Sequence, residues 1–124
     1  MNSRDPNLPL LPDQASALAA YAERNWDEQI VPALTDYIAI PAKSPMFDAQ
    51  WQAHGHLDRV VRDAAAWVER RKVRGLKLEV LRLEGRTPLI FFEVPGTKAG
   101  SDETVVFYGH LDKQPEFNGW RHDL

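Results

Sequence analysis

HLDRVVRDAAAWVERRKVRGLKLEVLRLE, residues 56–84, carries two periodicities in succession, and the switch between them decides the fold class. Leu57, Val60, Val61, Ala64, Ala65 and Val68 recur at i, i+3, i+4, i+7, i+8 and i+11, the spacing of one apolar helix face. Asp58, Arg59, Arg62 and Asp63 are left for the opposite side, and Gly75 is the expected helix stop. Beyond it the period drops to two. Leu76, Leu78 and Val80 alternate with Lys77 and Glu79, as in a strand buried on one side. A helix leading into a strand is the unit of a mixed α/β fold.

Downstream, PLIFFEV (88–94) and TVVFYGH (104–110) are continuous runs of β-branched and aromatic residues, expected as strands covered on both faces. Gly85 to Thr87 is placed to turn the first strand into the second, and Pro95 to Glu103 reads as a polar loop. Upstream, the alanine-rich chain from Asp13 favours helix. Asn25 followed by Glu28 resembles a helix start, with Ile30, Leu34, Tyr37 and Ile38 on one face. Pro32 either kinks this segment or marks a first turn, and Pro41 and Pro45 end it. Prolines at 6, 9 and 12 make residues 1–12 an extended arm. The expected fold is therefore α/β, with N-terminal helices followed by a β-sheet. Its last strand leaves an apolar edge bare, so residues 13–124 are expected to be the opening part of a larger, incomplete domain.

Bulk composition narrows the chemistry. The 124 residues are 44% hydrophobic and 27% charged, ordinary for a globular chain. A net charge of −3 offers no general attraction to nucleic acid or to an anionic membrane. With no cysteine, disulfides and thiolate ligands are excluded, so any metal must be held by histidine and carboxylate. The N-terminus lacks the pattern of a secretory signal and no run is long and apolar enough to span a bilayer, so a cytoplasmic protein without a membrane partner is expected.

The tetrapeptide Gly-His-Leu-Asp occurs twice, at 55–58 and at 109–112. In the first copy His56 and Asp58 open a helix, where residues two apart diverge by about 200° and cannot act together. His56 is then placed to meet Arg59 or Val60, and Asp58 to favour the positive end of the helix dipole. His54 and His56 could in principle share a metal, but the sequence puts no third ligand near them. The second copy is expected at a strand end, where residues two apart project to the same side. His110 and Asp112 then emerge together, and Gly109 would allow close approach of backbone or ligand. A metal-binding histidine donates its other ring N–H to an acceptor that sets the tautomer. Asp112 is placed to accept that bond, or to contact metal or an adjacent loop instead. Spacing alone also fits a histidine that caps a strand beside a solvated aspartate.

The longer run TVVFYGHLDKQPEFNGW (104–120) resembles the signature of the di-zinc metallopeptidases that include dipeptidases, carboxypeptidases, aminoacylases and acetylornithine deacetylase. LTDYIAIPAKSP resembles the family's first helix and the segment after it, and AAAWVERRKVRGLKLEV its second helix and first strand. The likeness runs in order through most of residues 25–120, and HLDKQPE leans toward the dipeptidase-like branch. It implies a zinc-peptidase-like catalytic domain, with His110 a ligand of one zinc and Asp112 the catalytic-site acid that orients it. Trp120 would border the site. The implied reaction is hydrolysis of a peptide or N-acyl amide bond, with two zinc ions in the complete site and a homodimer in the complete protein. Cobalt or manganese suits the same ligand types.

The family's remaining ligands and base would follow the Gly-His-x-Asp segment, so the resemblance implies an N-terminal fragment that is inactive alone. Two other readings compete. One is a non-catalytic interaction module or remnant of the same fold, docking through exposed strand edges. The other is a self-contained α/β domain without a metal.

Overall fold

The computed structural model describes residues 9–97 and 103–123. Most of the N-terminal arm, the centre of the 95–103 loop and Leu124 lie outside the described residues. The chain divides into two compact units, Met1–Ala39 and Ile40–Leu124.

The first unit is helical throughout its described length after Leu11. Helix α1 spans Pro12–Asn25. Pro12 suits its first position because the N–H it lacks would have had no partner within the helix. The Gln14 side chain reaches back to accept the Leu11 N–H at 3.2 Å. A π-helical turn over Trp26–Ile30 follows, and α2 spans Val31–Ala39. Asn25 is therefore not a helix start: its backbone is helical (φ −66°, ψ −33°) and its side chain caps nothing. The apolar spacing gives a reason for the π turn. Leu11, Ala15, Leu18 and Ala22 step by four, three and four, and Trp26, Ile30, Ala33 and Tyr37 repeat that rhythm one residue late. The wider turn, closed by the Val31 N–H on the Trp26 carbonyl, absorbs the additional residue. Pro32 follows as the second residue of α2, a position where its missing N–H interrupts no α-helical ladder. Ile30, Ala33 and Tyr37 are half-buried, whereas Leu34 and Ile38 of the expected face are exposed.

The second unit holds the core. A short helix α3, Trp51–His54, meets α4, His56–Arg70, at Gly55, whose φ of 68° is the left-handed conformation that ends one helix and admits the next. The α3 helix went unforeseen. Along α4, Leu57, Val60, Val61 and Ala65 are buried on the face that the spacing picks out. With Ile40 and Ala42 they form the core. The helix stops before Gly75: Arg71 caps it, and Lys72 takes the left-handed conformation at φ 51°. Gly75, at φ 79°, instead serves the turn into the sheet.

Strands β1, Lys77–Leu81, and β2, Leu89–Glu93, pair antiparallel with Lys77 opposite Glu93 and Leu81 opposite Leu89. Gly85, at φ 69°, lies in the connection, as the sequence implies. Leu78, Val80 and Ile90 share the inner, half-buried face and pack toward α4. Lys77 and Glu93 pair across the strands at 3.0 Å. The outcome is mixed α/β at a coarse level, helices followed by a small antiparallel sheet.

Two expectations for the strands are corrected. The β2 strand is not covered on both faces, because Leu89, Phe91 and Phe92 remain about half exposed. Residues 104–110 do not form a strand, and Val105 to Tyr108 are 78–92% exposed. Apolar composition supplies a reason to be buried but no hydrogen-bonding edge, and a strand requires both. Further along the chain, Lys113 bridges Lys43 in parallel. Among the described residues no helix is long and apolar enough to cross a membrane.

Candidate functional site

His110 and Asp112 do come together, though without a strand to align them. The ring Nδ1 of His110 lies 3.1 Å from Asp112 Oδ1 and 3.0 Å from the Asp112 backbone oxygen. Both partners are acceptors, so Nδ1 carries a hydrogen, and in the neutral ring Nε2 presents a lone pair. That is the tautomer of a metal-ligating histidine backed by a carboxylate. The His110 side chain is 65% exposed and that of Asp112 is 37% exposed. No protein atom approaches Gly109 closely: a Cβ there would meet nothing within 4 Å.

What holds this loop is Lys113, a residue to which the sequence assigns no role. Its N–H donates to the Ala42 carbonyl at 2.9 Å, and its carbonyl accepts the Ser44 N–H at 2.8 Å. Its ammonium donates to the Ile40 carbonyl, and burial there pushes its pKa below the ordinary lysine value. Ile40 and Ala42 are core residues, so the loop is pinned one residue beyond Asp112 to the best-packed part of the unit. Lys43 adds an ion pair to Glu116 at 2.9 Å, which holds the Glu116 carboxyl below the usual glutamate range. Trp120 is exposed, its indole N–H donating to the Phe117 carbonyl at 2.9 Å.

The first copy is wired differently. Asp58 pairs with Arg82, just past β1, instead of serving the helix end alone. His56 lies against His54, ring centres 5.7 Å apart and planes tilted by 36°. His54 Nδ1 sits 2.7 Å from Asp48 Oδ2. The other oxygen, Oδ1, accepts the Gln50 N–H at 3.0 Å. The hydrogen bond from His54 is the main reason the Asp48 carboxyl lies below its ordinary range. Sequence spacing could not show Asp48, six residues away, as the partner of this histidine.

No family model and no curated protein matches the chain. Among the described residues no group of three or more histidine, aspartate or glutamate side chains is gathered to hold a metal ion. The residues at 110–112 fit one corner of a metal centre: one imidazole ligand and the carboxylate that orients it.

Proposed function

We propose that this chain is the N-terminal part of a metal-dependent peptidase or amidohydrolase of the cytoplasm, hydrolysing peptide or N-acyl amide bonds. In this reading, residues 13–124 open a zinc-peptidase-like catalytic domain. The observation that carries it is the His110–Asp112 pair, whose geometry leaves Nε2 of His110 as the free ligand atom. Asp112 holds the ring in the ligating tautomer, and Lys113 fixes the position of both against the core. Two zinc ions, when bound, would polarise the scissile carbonyl and lower the pKa of an attacking water.

One imidazole is too few for a zinc centre, which takes three or four protein ligands. The proposal therefore requires that residues beyond this stretch complete the site, and the stretch alone is inactive. Incubating it with zinc and a panel of dipeptides and N-acyl amino acids should give no turnover above the metal blank. Turnover without a complementing polypeptide would refute the incompleteness. In a longer, active polypeptide, His110→Ala should abolish hydrolysis, and retained activity would sink the assignment.

A second reading, a non-catalytic module that associates with another copy of itself, is favoured by the exposed run Val105 to Tyr108. Light scattering separates the two, since a monomer that stays monomeric at high concentration would count against the module.

A further inference from the structure

We propose that the corner formed by His54, Gly55 and His56 binds one divalent transition-metal ion of the imidazole-preferring class, with His54 and His56 as its protein ligands and Asp48 as the carboxylate that orients His54. This site shares no residue with the His110 pair and stands or falls apart from it.

Three observations carry the inference. First, the backbone breaks between the two histidines. On one straight helix, side chains two apart would diverge by about 200°. Gly55 at φ 68° and ψ 8° separates α3 from α4 and brings the rings to 5.7 Å between centres. With metal–nitrogen bonds of about 2.0–2.1 Å, two imidazoles on one ion have ring centres about 5–6 Å apart.

Second, His54 is already prepared as a ligand. Its Nδ1 is engaged by Asp48 at 2.7 Å, which in the neutral ring leaves the lone pair on Nε2. The carboxylate is itself held, because its second oxygen accepts the Gln50 N–H and its side chain is only 14% exposed. Third, the ligand ring is accessible, with the His54 side chain 45% exposed beside its tethered partner.

Two protein ligands leave the remaining coordination to water. The site is therefore reversible and weaker than a structural zinc centre. Copper(II), the strongest binder among the divalent first-row ions, is the sensitive probe.

The test uses the full chain carrying His110→Ala, which removes the other histidine–carboxylate pair. Copper(II) chloride is titrated in by calorimetry, with electron paramagnetic resonance read at each step. One equivalent should bind with a hyperfine pattern from two imidazole nitrogens. His54→Ala or His56→Ala should weaken that equivalent at least tenfold and leave one nitrogen or none. Asp48→Asn should weaken it by about 10–100-fold while both nitrogens remain, the signature of a residue acting through His54. Circular dichroism confirms that each variant is folded, and His56→Gln provides a second removal of that ring. The proposal is overturned if the His110→Ala chain binds no equivalent, or if affinity and the two-nitrogen pattern survive loss of either histidine. Neither result bears on the reading of His110.

Discussion

Gly55 to Asp58 and Gly109 to Asp112 are the same four residues, and the molecule uses them in opposite ways. In the first copy the leucine is the structural residue: Leu57 is 4% exposed and forms part of the core. Its aspartate turns away to Arg82, and its histidine pairs backward with His54. In the second copy the leucine is half-buried, and the histidine and aspartate turn toward each other at 3.1 Å. The difference lies in the backbone. A helix rotates successive side chains apart, so the first copy addresses three separate neighbours. The second lies outside any helix and is pinned at Lys113, so its polar side chains find each other.

The comparison can be broken first at its leucines. Leu57→Ala should cost about 2–5 kcal/mol, the usual penalty for emptying a packed position. Leu111→Ala should cost less than half as much, because that side chain is only half-buried. Denaturant unfolding of both variants reads the contrast directly, and equal losses would erase it.

The aspartates come next. On the proposed reading, Asp112→Asn in a longer, active polypeptide should lower metal affinity or activity by about 10–100-fold, since the neutral amide lacks the charge that raises the basicity of His110. Asp58→Asn should leave activity unchanged and cost no more than about 1 kcal/mol of stability, as for other exposed ion pairs. A matching loss of activity in both variants would mean that the two copies are not chemically distinct.

The smallest effect concerns the clamp that holds the second copy. Glu116 has a folded pKa below its unfolded value because Lys43 donates to it. Its contribution to stability is therefore present above the ordinary glutamate pKa and is lost as pH falls through the lowered value. Carboxyl NMR titration should place Glu116 below a typical exposed glutamate, and Lys43→Met should move it back toward the ordinary range. A Glu116 titration indifferent to that substitution would remove the clamp from the account.

Much of the second unit was legible because its signals are local. The 3.6-residue spacing of Leu57, Val60, Val61 and Ala65 named the buried face of α4, and the two-residue alternation after Gly75 named β1. The site was partly legible for a similar reason: a histidine and an aspartate two apart meet in any backbone that does not rotate them apart. Other features escaped. The π turn depends on a one-residue slip in the apolar spacing between Leu11 and Tyr37, which looked like a new helix beginning at Asn25. The pairing of Asp48 with His54 depends on how α3 folds back on the loop before it. Residues 104–110 carried every compositional mark of a strand and formed none, because pairing needs a free edge in register as well as apolar side chains.

By itself the sequence determined that α4 and the hairpin of β1 and β2 form, which face of α4 is buried, and that histidine and carboxylate are the available metal ligands. Those follow from spacing, composition and side-chain chemistry, all of which act within a few residues. Only the tertiary structure decided that Lys113 anchors the second Gly-His-Leu-Asp to Ile40, Ala42 and Ser44, and that Asp58 answers to Arg82. Only it brought Asp48, His54 and His56 to one corner. These contacts join residues whose neighbours along the chain say nothing about one another. Their energy is realised only once the core has set the distances between them.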